Sequence, residues 1–224
     1  MRPQYGIDVE RIRAFSDAVF AIAITLLALE IKVPEGLPAA ELGHALKEEA
    51  LPSIAGYLLS FVVVGALWIS HHRLFRMAKV VNGPLLYLDL ALMALVAALP
   101  FPTKIVTEYH SSAIATSLYA GTITLAALLI TAMAAHLLNR PDLRDSDTPR
   151  GLVTQTLQQT VGVAIVFGSS VPVAVIVSSD VAEYWWILAV PVRYCLARHH
   201  AKKRKHAATE LPRPSTTSSG SATR

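Results

Sequence analysis

Residues 11–31 read RIRAFSDAVFAIAITLLALEI. Charged and polar groups crowd the first seven positions, and after Asp17 the segment is apolar until Glu30. Twelve uncharged residues separate these two carboxylates, about 18 Å of helix at 1.5 Å per residue, whereas the hydrocarbon layer of a bilayer is about 30 Å thick. A helix here places one or both acids in or near the membrane. An acid costs about 2.5–3.5 kcal/mol there on insertion scales and marks a functional or helix-locking position. At 100° per residue, Ile22, Leu26 and Leu29 fall within about 60° of one another, with Phe15 and Ala18 continuing the stripe and Thr25 flanking it. Asp17 lies about 140° from Ile22. Such a stripe serves as bundle core, lipid face or pore lining. If it lines a pore, Asp17 belongs among neighbouring helices.

The remaining sequence agrees with a membrane setting. Of 224 residues, 53% are hydrophobic and 16% charged, against about a quarter charged in soluble domains. Six candidate spans cover approximately residues 13–33, 50–70, 84–104, 111–138, 152–178 and 183–198. The second, fourth and fifth contain no Asp, Glu, Lys or Arg. The third carries Asp89 and is expected to close at Leu99-Pro100-Phe101-Pro102, where two prolines remove donors. The sixth is interrupted by Arg193 and opens with Tyr184, Trp185 and Trp186, which read as an aromatic belt at the interface. Asp89 is either an interface residue or an inter-helix partner.

Lys and Arg divide unevenly between alternate sides of these spans, fifteen against three. The rich side takes Arg2, Arg11, Arg13, Arg73, Arg76, Lys79, Arg140, Arg144, Arg150 and six residues of the 193–205 segment; the poor side has Lys32, Lys47 and Lys104. This bias predicts a multi-pass cell-membrane protein with both termini cytoplasmic and an even number of spans. The expected organisation is a transmembrane domain over 1–200 and a basic, then disordered tail over 201–224. The run HHAKKRKH at 199–206 beside a span points to anionic lipid rather than nucleic acid. The start MRPQYGIDVE has no apolar core with a small-residue cleavage site, so the first helix is expected to stay in place. The single cysteine, Cys195, has neither metal-site spacing nor a nucleophile context.

Arg11-x-x-x-Phe15-Ser16-Asp17 resembles the RxxxFSD signature of the potassium-channel family whose animal member is transmembrane protein 175. The AIAITLL run after it is similar too. So are Trp68-x-x-His71-His72-Arg73, Asn82 before the third span and Pro100-Phe101-Pro102-Thr103 at its end. The likeness is close over about residues 8–105. It implies an all-α integral membrane protein of six transmembrane helices, with the first helix lining a central pore. The animal protein has two repeats per chain and this one has a single repeat, so four copies, a homotetramer, supply the same number of pore helices. It further implies constriction rings at Ile22, Leu26 and Leu29, with Ile22 narrowest and Thr25 tied to potassium preference. The motif Arg11 and Asp17 are expected to rest against Trp68, His71 and Asn82. The implied function is a potassium-preferring cation channel with a hydrophobic constriction, no cofactor, and the potassium ion as permeant species.

The competing reading is a proton- or sodium-coupled secondary transporter using Asp17. It calls for inverted repeats, yet spans four to six hold no second Phe-Ser-Asp. A non-conducting scaffold leaves the first helix unexplained. Glu30 and Glu35 read as an acidic vestibule or as solvated loop residues. No nucleophile elbow, His-Glu-x-x-His pair or phosphate loop is present, so the chain is not expected to be an enzyme. His71, His72, His110 and His136 lack the carboxylate or thiolate companions of a metal site. Thr160-Val-Gly162 matches the start of the loop filter of ordinary potassium channels, but no Tyr-Gly follows.

Overall fold

The computed structural model describes residues 8–31, 36, 38, 40–109 and 111–187. Among these the protein is helical, without a β-strand, and five helices are long and apolar enough to cross a membrane. The first, α1 (Val9–Leu27), starts where Asp8 accepts a hydrogen bond from the Glu10 amide and ends in a tighter turn over Ala28–Glu30. A short helix α2 (Leu42–Ala45) runs through a wider turn into α3 (Leu51–Arg76). Arg73 and Arg76 lie on the last turn of α3 rather than beyond the span, because cations there favour the negative helix end and reach the interface.

The third span departs from expectation. The helix does not close at Leu99-Pro100-Phe101-Pro102. Instead α4 (Gly83–Ala98) runs through Leu99, which keeps a right-handed helical conformation, into α5 (Pro100–Glu108). Both prolines fall in the first turn of the new segment, where a missing N–H orphans little. The Thr103 amide and hydroxyl both donate to the Leu99 carbonyl and stitch the junction. The continuous element therefore carries Lys104 on helix and reaches Glu108, four residues past the expected end of the span at 104.

Helices α6 (Ala113–Asn139) and α7 (Arg150–Ile176) form the most extensive helix pair. Ala120, Ala126, Ala127 and Ala134 on α6 are fully buried; small side chains bring helix backbones close and maximise dispersion contacts where lipid offers no hydrophobic drive. The loop after α3 pairs with the loop after α6: the Lys79 amide donates to the Leu143 carbonyl at 2.8 Å and the Asp145 amide to the Met77 carbonyl at 3.1 Å. Arg13, Arg76 and Lys79 thus line a cleft near the start of α1 together with Asp8 and Glu10, and the backbone bridge between Ala78 and Arg144 brings Arg144 to the same end of the bundle.

Of the sixth expected span, the structure describes a helix α8 (Ser179–Ile187); residues 188–198, like the 201–224 tail, lie outside the described residues. Trp186 is not a belt residue. It is 2% exposed, stacks on Phe167 at 5.7 Å, meets Tyr119 at 5.0 Å and donates its indole N–H to Ser170 Oγ at 2.9 Å. Facing inward satisfies both its large apolar surface and its single donor. Tyr184 remains exposed.

Helix α3 approaches α5 closely at Gly56. A Cβ there would lie 2.6 Å from Thr107 Oγ1, whose proton is already donated to the Thr103 carbonyl at 2.9 Å. Gly56→Ala is therefore expected to lower stability by about 1–3 kcal/mol, the usual cost of overpacking, and Thr107→Ala should relieve most of it. Thermal denaturation of the purified single and double variants checks both; an unchanged melting temperature for Gly56→Ala would remove the close approach.

Candidate functional site

Helix α1 has two faces of opposite fate. Ile12, Ser16, Phe20, Ala23 and Leu27 are buried, at the spacing of one helical face, and the helix packs on α3 and α4. The other face has no partner among the described residues: Phe15, Ile22, Leu26 and Leu29 are exposed, Ile22 by 59% and Leu29 by 77%. The Ile22/Leu26/Leu29 stripe is thus a continuous apolar surface of the single chain. Thr25, also exposed, donates its hydroxyl proton to the Ile22 carbonyl at 2.8 Å. With the proton committed to the backbone, the free side of its oxygen is an acceptor.

The opposite side of α1 is fixed by two separate polar anchors. In the first, the Trp68 indole N–H donates to Asp17 Oδ1 at 2.8 Å, and His72 Nδ1 lies 3.6 Å from the same oxygen. The Trp68 and His72 rings lie against each other at 5.3 Å. The Asp17 side chain remains 35% exposed, so it borders the bundle rather than sitting in its core. Arg11 takes no part: it is exposed and pairs with no carboxylate among the described residues. An arginine six residues before Asp17 projects about 120° away on the wheel, which separates the two heads.

The second anchor is fully buried. His71 Nε2 lies 2.7 Å from Asp89 Oδ1, and the Ser16 hydroxyl lies 3.0 Å from both Asp89 Oδ2 and the Ile12 carbonyl. Ser16, His71 and Asp89 are each 0% exposed. The His71 ring packs against Phe20 and Phe75, at 5.5 and 4.6 Å between centroids. One point thereby ties α1, α3 and α4 together in an apolar surround, where a hydrogen bond to a carboxylate is electrostatically strong.

This arrangement redistributes the expected partners. Trp68 reaches Asp17, but His71 serves Asp89, and Asn82 bonds elsewhere. Asn82 Oδ1 accepts from the Leu85 amide and caps α4, while its amide group meets His136 Nε2 on α6 at 3.0 Å. The reason is angular: Ser16 and Asp17 are adjacent and so point about 100° apart, one toward α4 and the other toward α3. Asp89, undecided on sequence alone, is an inter-helix partner. Among the described residues no group of three His, Cys, Asp or Glu side chains could hold a metal ion; His110 lies outside them.

Five helices long and apolar enough to cross a membrane, with one buried and one half-buried polar anchor behind an apolar helix face left exposed among the described residues, define a multi-pass membrane protein. The profile of the family described as endosomal/lysosomal potassium channel TMEM175 matches residues 11–100. A potassium channel of Streptomyces collinus is 37% identical over 196 residues, covering 81% of this chain and 93% of the relative. The crystal structure of a lysosomal potassium-selective channel TMEM175 homologue from Chamaesiphon minutus superposes with a TM-score of 0.62 at 29% identity, over 87% of this chain and 97% of that one. The endosomal/lysosomal proton channel TMEM175 of Gallus gallus is 30% identical over 99 residues, 44% of this chain and 20% of the relative. The chain belongs to the TMEM175 family, a family of ion channels and not of enzymes.

Proposed function

We propose that the protein is a potassium-preferring cation channel of the cell membrane, a homotetramer whose pore is lined by the Phe15/Ile22/Leu26/Leu29 face of α1. The observation that carries this reading is the bare apolar face itself, set opposite two polar anchors that hold α1 at a fixed rotation. One such face cannot enclose a path. Four related by a closed rotation can, and the rings at Ile22, Leu26 and Leu29 then repel water where the passage is narrow. The permeant ion needs no cofactor. Potassium is favoured over protons as the carried ion because the S. collinus relative, named a potassium channel, is matched over 93% of its length.

The gathering of Arg13, Arg76, Lys79 and Arg144 at one end of the bundle, with Lys104 beside Glu30 at the end of α1, supports an arginine-rich cytoplasmic side. Asp17 accepts from Trp68 on the side away from the stripe, which favours a supporting role over an ion-coupling one.

Two measurements test the reading. Mass determination in mild detergent is expected to give four copies; a monomer that still conducts would overturn the pore assignment. In liposomes, passive flux with a reversal potential set by potassium is expected, and saturating, stoichiometric counter-transport would favour the transporter. Thr25→Val tests the selectivity layer. It keeps the shape, deletes the hydroxyl and is expected to reduce the potassium-over-sodium permeability ratio with conductance retained. An unchanged ratio in bi-ionic recordings would dismiss the hydroxyl ring.

A further inference from the structure

The far end of α1 carries a charge pair that a hydrophobic gate does not require. The tight turn Ala28–Glu30 leaves Leu29 on the bare face and sets Glu30 beside it. Glu30 Oε2 lies 3.5 Å from Lys104 Nζ on α5. The pair lines a small cleft of about 140 Å³ together with Leu29, Thr107 and Glu108. Lys104 reaches this position because the third span continues through its two prolines instead of ending at them. The Glu30 side chain is 24% exposed and that of Lys104 54%, so both heads border water.

We propose that Lys104 sets the electrostatic potential of this pore mouth by neutralising Glu30, and that the pair thereby controls how fast cations enter. The proposal rests on the pore reading of α1 and adds to it the residue that tunes cation entry. With four copies around the axis, four carboxylates ring the entrance directly beyond the last apolar ring, each offset by one ammonium. A like-signed ring at a narrow mouth with low-dielectric walls concentrates counter-ions; the lysines hold that field down. Lys104 is a positioning residue for this field and touches no ion itself. A water-exposed ion pair contributes little to stability, so variants of either residue should still assemble.

Ionic strength separates the electrostatic role from a structural one, because the screening length falls from about 30 Å at 0.01 M salt to about 3 Å at 1 M. The experiment is single-channel recording of the full-length protein in planar bilayers with symmetrical KCl at these two concentrations. Lys104→Gln is expected to raise unitary conductance about two- to threefold at the low concentration and less than about 1.2-fold at the high one. Glu30→Gln should lower low-salt conductance, and the double variant should return it close to wild type. A Lys104→Gln effect of equal size at both concentrations, or one that survives in the double variant, overturns the proposal. Ile22→Asn recorded alongside distinguishes the two levels. If it changes the current while Lys104→Gln does not, only the mouth assignment falls; if neither changes it, the pore reading falls and this proposal with it.

Discussion

Ile22→Asn is expected to raise the resting potassium current of the reconstituted protein by at least about tenfold, the change that removing ~1.4 kcal/mol from a barrier produces. Ile22 stands in the middle of the bare face of α1, 59% exposed in the single chain, one turn before Leu26 and two before Leu29. In the proposed tetramer, four isoleucines around a narrow axis would offer an ion nothing in exchange for its hydration shell, and a dry constriction blocks for that reason. Asparagine has nearly the same length and brings an amide, so it wets the ring at nearly constant width. Ile22→Met is flexible and still apolar, and is expected to conduct weakly. A lipid-facing Ile22 gives another pattern: asparagine then perturbs insertion or assembly and leaves the current per assembled channel unchanged. Single-channel recordings of both variants separate the cases, and equal open probability and conductance in wild type and Ile22→Asn eliminate the gate.

The two-faced character of α1 was legible in the sequence because it depends only on a period of 3.6 and on where charges stop. Ile22, Leu26 and Leu29 share a stripe whatever packs nearby, and the structure leaves that stripe bare. Partner choice was not legible to the same degree. Ser16 and Asp17 look like one motif in a line of letters, yet adjacent helical positions diverge by about 100°, and each finds a different helix. His71 and His72 split in the same way, one into the core with Asp89 and the other beside Asp17.

The signal available for Asp89 was its isolation. A carboxylate inside an otherwise apolar helix must find a donor, and the histidine-rich end of α3 was the nearest supply. The prolines at 100 and 102 misled because proline breaks a helix where its missing donor and its ring clash fall in the interior, and both are tolerated in the first turn of a resumed segment. Trp186 misled because an aromatic belt and an inward aromatic cluster have the same composition. Only the neighbouring Ser170, Phe167 and Tyr119, distant in sequence, decide between them.

The largest stability effect is expected at the buried anchor. His71→Leu removes the partner 2.7 Å from Asp89 Oδ1 and leaves a carboxylate that is 0% exposed with, among the described residues, the Ser16 hydroxyl as its remaining hydrogen-bond partner. Breaking a buried pair from one side costs about 3–5 kcal/mol, because the remaining group keeps its desolvation penalty without the compensating interaction. At about 2–4 °C per kcal/mol for a chain of this length, the melting temperature should fall by roughly 10 °C. The double variant His71→Leu/Asp89→Leu removes both polar groups and fills the space with apolar atoms, and such replacements are often neutral or stabilising. It should recover most of the loss, giving a strongly non-additive cycle. Thermal unfolding of the four proteins in mild detergent measures the coupling. Recovered stability need not restore conduction, since the pair also fixes the rotation of α1 through Ser16, and with it the direction in which Ile22 points. A single variant as stable as wild type, or a double variant no better than the single, would show that His71 and Asp89 do not hold α1, α3 and α4 together.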